Sequence, residues 1–331
     1  MIKKVLMAAI LLSALLGGCV ADPLPAAGAS KSNLIVVGFS QVGAESEWRV
    51  ANTESMKAAL SEENGYELFF DDARNMQENQ IRAIRNFIQQ GVDYIVFSPR
   101  VETGWDSILQ EAKEARIPVI VIDRNIRTTD ESLYQAFIGS DFRKEGIRAT
   151  QWLEDLLEQQ GRTEEPVRIV HIQGTIGSTA QIGRSGALDQ AIERNPSWVR
   201  VASECGDFTR AKAYEVMGAI LKRTRDIDVV YCENDGEALG AIDAMEEAGL
   251  RCNASDGVIV ISFDATRLGL KYCLEGKIAL NVECNPLQGP YVDQIIKQMQ
   301  RGDPVEQVQY IDEALFDSFT ITQEMIDGRG Y

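Results

Sequence analysis

The hydrophobic positions of this chain follow two alternating patterns from Asn33 onward. Short apolar runs rich in β-branched residues, typical of strands, alternate with stretches whose apolar residues recur every three or four positions, typical of amphipathic helices. The predicted strands cover residues 34–39, 67–70, 94–98 and 119–123 in a first series, and 168–173, 199–205, 228–233, 258–264 and 278–283 in a second. Because the runs are nearly continuous in Val and Ile, we expect strands buried on both faces, as in parallel sheets covered by helices. The repeated alternation predicts an α/β fold with two doubly wound parallel-sheet lobes.

One predicted helix illustrates the alternation. Asn75, with Glu78 three residues later, has the spacing of a capping box, and isoleucines then recur along one helical face. Gly91 follows the last of them and predicts the end of the helix before the strand at residue 94.

The N-terminal segment predicts export. Two lysines precede the apolar run 5–16, which is too short to cross about 30 Å of hydrocarbon, so residues 1–18 read as a secretory signal peptide. The sequence Leu16-Gly17-Gly18-Cys19 resembles a bacterial lipobox, which predicts a lipid on Cys19. Residues 19–32 are rich in Pro, Ala, Gly and Ser and predict a flexible, lipid-anchored stalk. An ordinary cleaved signal with an incidental Cys19 is the alternative.

Composition and charge narrow the function classes. The formal net charge of −17 repels phosphate backbones, so nucleic acid is not an expected partner. The single histidine, His171, lies inside an apolar run, which leaves little support for a histidine-based metal site or a Ser-His-Asp triad. Five cysteines besides Cys19 form no CxxC pair, and their disulfide pairing stays open. We therefore expect no metal and no cofactor.

The glycine-containing strand exits do not complete an enzyme motif. The spacing Gly38-x4-Gly43 resembles the start of a phosphate loop, but Ala44-Glu45 occupies the place of the required Lys and Ser or Thr. A second exit, Gln173-Gly174-Thr175, lacks dinucleotide spacing, and no GxSxG elbow occurs in the chain. These patterns favour a binding protein over an enzyme.

Polar and aromatic residues recur at the predicted strand exits. Asp123 and Asp264 end matching apolar runs of the two halves, where side chains of parallel strands face the ligand crevice. Planar carboxylate, amide and guanidinium groups can bridge neighbouring hydroxyls, and aromatic rings can cover an apolar sugar face. Each residue also has a structural alternative. Either aspartate could cap the next helix, Asp123 and Arg124 could form an internal ion pair, and Trp48 could belong to the core.

These residues also carry a family resemblance. The segments Gly38-Phe39-Ser40-Gln41-Val42-Gly43, Trp48-Arg49, Gly206-Asp207-Phe208-Thr209-Arg210 and the final Gly330-Tyr331 resemble the pentose/hexose-binding proteins of bacterial ABC transporters. Within that group the chain is most similar to the galactofuranose-binding branch. The resemblance implies the type I periplasmic-binding-protein fold, with two lobes joined by a three-crossover hinge.

The resemblance also implies lobe boundaries. It predicts an N-terminal sugar-binding lobe of residues 33–125 plus 265–285, and a C-terminal sugar-binding lobe of residues 126–264 plus 286–331. The crossovers are expected near residues 124–140, at Asp264 and near residues 283–289.

The implied ligand site has eleven residues. They are Phe39, Gln41, Trp48, Arg49, Asp123, Arg124, Arg184, Phe208, Asn234, Asp264 and Glu283. In the family pattern, the charged and amide groups hold hydroxyls from both lobes while the aromatic rings line the cleft. Glu47, Gly183 and Glu233 depart from the branch's usual residues, so the sugar stays open among furanose, pyranose, pentose and polyol ligands.

The expected function is that of an extracytoplasmic solute-binding lipoprotein of an ABC sugar importer. It would bind a monosaccharide by hinge closure and deliver it to permease subunits as a monomer, tethered to the membrane through its N-terminal lipid and facing the periplasm or the outer surface. Two alternatives remain at this point, namely a receptor signalling to a chemoreceptor or histidine kinase, and an exported carbohydrate-active enzyme.

Overall fold

The computed structural model describes residues 34–331, which form one compact unit. The predicted signal peptide at 1–18, the stalk at 19–32 and Cys19 lie outside the described residues. Among the helices of residues 34–331, none is long and apolar enough to cross a membrane.

Strands and helices alternate along almost the whole described chain. The strands are β1 (Ile35–Gln41), β2 (Tyr66–Asp72), β3 (Tyr94–Phe97), β4 (Val119–Asp123), β5 (Ala136–Gly139), β6 (Val167–Gln173), β7 (Trp198–Cys205), β8 (Val229–Cys232), β9 (Ile259–Asp264), β10 (Leu280–Glu283), β11 (Val308–Tyr310) and β12 (Leu315–Asp317). The helices are α1 (Glu47–Ala59), α2 (Gln77–Gln90), α3 (Asp106–Glu114), α4 (Phe142–Gln159), α5 (Thr179–Arg194), α6 (Arg210–Leu221), α7 (Asp235–Glu247), α8 (Arg267–Leu274), α9 (Gly289–Arg301) and α10 (Gln323–Asp327).

The strands form two six-stranded sheets, which confirms the predicted two-lobed α/β fold. The strand order is β11-β5-β4-β3-β1-β2 in the first sheet and β12-β10-β9-β8-β6-β7 in the second. All neighbours are parallel except β12, which runs antiparallel to β10. Every residue of the inner strands β3, β4, β8 and β9 is buried, as their continuous apolar sequences predict. All nine predicted strands are present.

The chain crosses between the sheets three times; the predicted crossing within residues 124–140 is confirmed, and the one predicted at Asp264 is wrong. The first crossing follows β5 at Ser140, the second joins β10 to α9, and the third joins β11 to β12. No crossing occurs at Asp264, because β9 and β10 pair within the second sheet. The predicted crossing at residues 283–289 is correct.

The predicted lobe boundaries change accordingly. Residues 265–285 belong to the second lobe, since β10 pairs with β9. Residues 126–139 belong to the first lobe because they include β5, which pairs with β4. Residues 286–310 also belong to the first lobe, because β11 pairs with β5 and α9 packs on α1.

Two local predictions have different outcomes. Gly91 ends α2 in a left-handed conformation, as predicted, with φ of 67°. The N-cap of α2 is Met76, with no side-chain cap bond, so the prediction of Asn75 as the cap is wrong. Asn75 has φ of 58° and accepts a hydrogen bond from Arg100 instead.

The lone histidine and most of the cysteines lie in the interior of the described chain. His171 is buried in β6, and its Nε2 lies 2.9 Å from an oxygen of Glu233. All five cysteines of the described residues are free thiols, and all except Cys205 are buried.

Candidate functional site

A small cavity lies where the carboxyl ends of the strands of both lobes face each other. Eight of the eleven predicted site residues line it, namely Trp48, Arg49, Asp123, Arg124, Arg184, Phe208, Asn234 and Asp264. Five further residues complete the lining, namely Glu45, Ser46, Phe142, Ala180 and Cys284. The topology places them together because parallel strands present all their carboxyl ends at one edge of each sheet.

Arg49 organises the wall of the first lobe. Its Nη1 donates to Asp123 Oδ2 at 2.6 Å and to Ser98 Oγ at 3.0 Å, while its Nε donates to Glu45 Oε1 at 3.1 Å. Burial alone would lower the pKa of Arg49, but the charges of Asp123 and Glu45 outweigh it and raise that pKa. The guanidinium therefore stays charged and holds both carboxylates in fixed positions.

Glu45 offers a free acceptor to the cavity. Burial works against its ionised form, but Arg49 and Arg124 outweigh burial, so the pKa of Glu45 lies below its usual value. Its Oε2 is buried and has no hydrogen-bond partner among the described residues. A buried, ionised and unpaired oxygen costs free energy unless a bound hydroxyl satisfies it.

Arg124 is held more loosely than Arg49. Its Nη1 donates to the carbonyl of Arg100 at 3.2 Å, and its guanidinium lies 5.1 Å from the centre of the Phe208 ring of the other lobe. Burial, and then repulsion from Arg49, lower the pKa of Arg124 to about 10. The side chain is still charged at neutral pH, lines the cavity, and makes no other side-chain hydrogen bond among the described residues, so it keeps donors for a ligand.

Arg184 supplies the corresponding charge of the second lobe. Its Nε donates to Glu145 Oε2 at 2.7 Å, and another donor bonds the carbonyl of Glu233. Its Nη2 has no hydrogen-bond partner among the described residues and lies 3.9 Å from Asp264 Oδ1. Burial raises the pKa of Asp264 well above its usual value, only partly offset by Arg184. Both side chains keep hydrogen-bonding capacity for a ligand.

Aromatic side chains close the cavity around these polar groups. Trp48, Phe142 and Phe208 form one buried cluster with Ala180 and Cys284, which spans both lobes. Trp48 is anchored by a 2.6 Å hydrogen bond from its Nε1 to the carbonyl of Cys284. Polar groups between aromatic faces suit a compact ligand with hydroxyls at its edge and C–H groups on its faces.

Backbone geometry directs several of these residues. Asp123, Phe208 and Asp264 have φ values of 63°, 60° and 103°, a region that residues other than glycine rarely adopt. Such conformations concentrate at functional sites. Neither aspartate caps a helix, since the N-cap of α8 is Thr266. Asn234 does cap α7, because its Oδ1 accepts from the amide of Glu237 at 2.8 Å.

Three predicted site residues do not reach the cavity. Phe39 is fully buried in the core beneath the first sheet, where it packs against Phe70. Gln41 is buried behind Arg49 and donates to Asn52 at 2.9 Å. Glu283 accepts hydrogen bonds from the amide of Ala314 and the hydroxyl of Tyr331. Each of these three side chains is directed to another segment of the described chain, so none of them lines the cavity.

Some of the lining residues that were not predicted could have been found from the sequence, and others could not. Glu45 and Ser46 lie two residues or more before Trp48, inside the segment that carries the family resemblance, so they were accessible to prediction. Phe142, Ala180 and Cys284 come from α4, α5 and the second crossing. No local pattern in the sequence indicates that these three meet.

The two lobes touch across the cleft in this structure. The amide of Glu102 donates to the carbonyl of Gly177 at 2.8 Å, and the amide of Asn125 donates to Thr179 Oγ1 at 2.9 Å. The molecule is therefore in a closed arrangement, with the cavity between the lobes.

A two-lobed α/β protein with a polar cleft at its hinge has the architecture of a solute-binding protein. The family model described as "Periplasmic binding protein domain" matches residues 37–299, and the chain belongs to this family.

Individual relatives agree with that assignment. The chain is 37% identical over 295 residues to the galactofuranose-binding protein YtfQ of Escherichia coli, covering 88% of this chain and 90% of that protein. A Mycobacterium smegmatis protein solved in complex with β-D-fucofuranose is 46% identical, with a TM-score of 0.81 over 86% of this chain and 92% of that one. The binding component of an arabinose ABC transporter from Shewanella sp. ANA-3, bound to α- and β-L-arabinofuranose, is 40% identical, with a TM-score of 0.80 and the same coverage. The chain is a binding protein and not an enzyme.

Proposed function

We propose that this protein is the extracytoplasmic sugar receptor of an ABC importer and that it binds a monosaccharide in furanose form, galactofuranose or a related hexose or pentose. The observation that carries the proposal is the cavity itself, in which Arg124, Arg184, Glu45 and Asp264 present hydrogen-bonding atoms between aromatic faces. A sugar has hydroxyls at its edge and C–H groups on its faces, which matches both features.

The ring form is supported by the relatives. The three similar proteins are named for, or were solved with, galactofuranose, fucofuranose and arabinofuranose. A small cavity between the lobes suits a single sugar ring better than a longer saccharide.

The proposed mechanism is binding with hinge closure. A sugar that pairs with Glu45 of the first lobe and Arg184 of the second gains both sets of contacts only when the lobes are closed. The ligand can shift the hinge only by this difference in affinity between the two states. The closed form would then present one composite surface to a membrane permease, and Cys19 stays the predicted point of lipid attachment.

Isothermal titration of the purified protein tests the proposal, with galactose, fucose, arabinose, ribose, glucose and myo-inositol as the panel. The protein is first unfolded and refolded to remove sugar carried through purification. We expect 1:1 binding of galactose, fucose or arabinose, since each of these sugars has a furanose form in solution. Absence of heat with every sugar, in protein shown to be folded, would contradict the proposal.

A glycine substitution provides a second test of the site. A Cβ on Gly174 would lie 2.0 Å from Cζ of Phe208, so Gly174→Ala must displace the ring from its position against Arg124. We expect sugar affinity to fall on the order of tenfold, with a loss of about 1–3 kcal/mol in the free energy of unfolding from overpacking. Gly186→Ala is the matched control, because its Cβ would meet no atom within 4 Å. Unchanged affinity in Gly174→Ala would show that Phe208 does not contribute to binding.

A further inference from the structure

The three crossings between the lobes meet at one side chain. Glu313 lies on the third crossing, and its Oε1 accepts from Ser140 Oγ of the first crossing at 2.5 Å. The same oxygen accepts from the amide of Asn285 on the second crossing at 2.8 Å. Any rotation of the lobes about the hinge must therefore change the surroundings of this one carboxyl group.

A second carboxyl group lies beside the first. Carboxyl oxygens of Glu145 and Glu313 and the sulfur of Cys284 all lie within 4.8 Å of one another. Oε2 of Glu145 accepts from Arg184, whereas its Oε1 is buried and has no hydrogen-bond partner in residues 34–331. Two carboxylates so close in a buried site repel each other strongly if both are ionised.

We propose that Glu313 and Glu145 hold one proton between them, so that Glu313 donates to Glu145 while still accepting from Ser140 and Asn285. The shared proton ties the three crossings to Glu145, and through it fixes Arg184 in the wall of the cavity. Glu313 is thus a positioning residue whose protonation stabilises the closed form. The expected effect on affinity rests on the proposed sugar-binding function. The existence of the shared proton does not depend on that function.

The energetics of the pair agree with this arrangement. Burial, and then the charge of Glu145, raise the pKa of Glu313 to about 9. Burial also raises the pKa of Glu145, although Arg184 opposes it. The pair titrates as a unit, and at neutral pH one of its two carboxyl groups stays protonated.

Neighbouring charges do not replace this proton. Around the pair lie the cations Arg184, Arg148 and Lys144 and the titratable groups Asp141, Asp123, Asp312, Cys284 and Tyr310. Arg184 already bonds Glu145 on the far side, and Arg148 donates to the carbonyl of Glu313, not to its carboxyl. The pKa values of Cys284 and Tyr310 are raised by burial, so these two groups do not ionise before Glu313 as the pH rises.

The sign of the pH dependence follows from the raised pKa. A carboxyl group whose pKa is higher in the folded than in the unfolded protein favours folding most at low pH. That contribution is complete below the ordinary pKa of the group, near 4.5, and is lost progressively as the pH rises to about 9. For one linked proton, the unfolding equilibrium constant changes by up to about tenfold per pH unit in this window.

The test compares wild-type protein with Glu313→Gln, whose amide can donate to Glu145 at any pH while its oxygen still accepts from Ser140. We expect the unfolding constant of the wild type, measured in urea from pH 6 to 9, to rise relative to the variant by up to about tenfold per pH unit. The exposed neighbouring substitution Asp312→Asn is the matched control and should retain the wild-type pH dependence. All buffers contain EDTA, which removes any divalent cation from the cluster.

A second arm measures the affinity for galactose by titration over the same pH range. Wild-type affinity should weaken by on the order of tenfold between pH 7 and 9, and that of Glu313→Gln should not. An equal pH dependence in wild type and Glu313→Gln would overturn the proposal and assign the titration to another buried acid, such as Asp264. If galactose does not bind at any pH, the sugar assignment fails. The urea unfolding measurements then still test whether Glu313 and Glu145 share a proton.

Discussion

Replacing Arg124 with methionine is expected to weaken sugar binding strongly while leaving the free energy of unfolding near its wild-type value. The guanidinium is fully buried, makes one hydrogen bond of 3.2 Å to a backbone carbonyl, and has a pKa lowered by burial to about 10. Burial and repulsion from Arg49 outweigh the attraction of Glu45 at 3.6 Å and Asp123 at 3.8 Å, so the charge adds little to stability, and methionine keeps the packing against Phe208. The lost charge-assisted hydrogen bonds to a sugar should weaken affinity on the order of 100-fold.

The measurement pairs calorimetric titration with urea unfolding of the same samples. Arg127→Met is the matched control, because Arg127 is an exposed arginine close in sequence that does not line the cavity. A large loss of stability in Arg124→Met, or retained affinity, would contradict the assignment of Arg124 to ligand binding.

Replacing Arg184 with methionine should lower both the free energy of unfolding and the sugar affinity, whereas Arg124→Met should lower only the affinity. Arg184 forms a buried ion pair with Glu145 at 2.7 Å, and both side chains are 2% exposed. Removing one partner of such a pair leaves an uncompensated charge, which costs about 3–5 kcal/mol. Since Arg184 also lines the cavity, affinity should fall below detection.

The double variant Arg184→Met/Glu145→Gln separates the two effects. With the carboxylate also removed, most of the stability should return, while binding should stay absent because the guanidinium is still missing. Urea unfolding and titration of both variants measure this. If the double variant is no more stable than Arg184→Met, the unpaired charge is not the cause of the loss.

The sequence was sufficient to predict the layered fold and eight of the residues that line the cavity. Continuous apolar strands and alternating helices are local patterns, and acids such as Asp123 and Asp264 directly follow apolar runs. The strands β5, β11 and β12 were not predicted. Without β5 and β11, residues 126–139 and 286–310 were assigned to the wrong lobe, whereas the error for residues 265–285 came from the crossing that the resemblance implied at Asp264.

Side-chain direction could not be predicted in the same way. Phe39 and Gln41 lie near the carboxyl end of β1, within the segment that carries the family resemblance. Phe39 nevertheless packs in the core, and Gln41 donates a hydrogen bond to Asn52. The meeting of Glu145 with Glu313 joins residues far apart in the chain, and no spacing rule indicates it. Local pattern therefore predicts which elements form, whereas tertiary packing decides which side chains share the cavity.

The proposal of a furanose receptor is tested by determining the ring form of the bound sugar. Galactose labelled with ¹³C at the anomeric carbon is added to refolded protein, free sugar is removed, and the anomeric carbon is observed by NMR. We expect a bound signal in the chemical-shift range of the furanose form, which is lost in Arg124→Met. A bound pyranose signal would contradict the furanose assignment, and no retained signal with any of the labelled sugars of the panel would contradict the receptor itself.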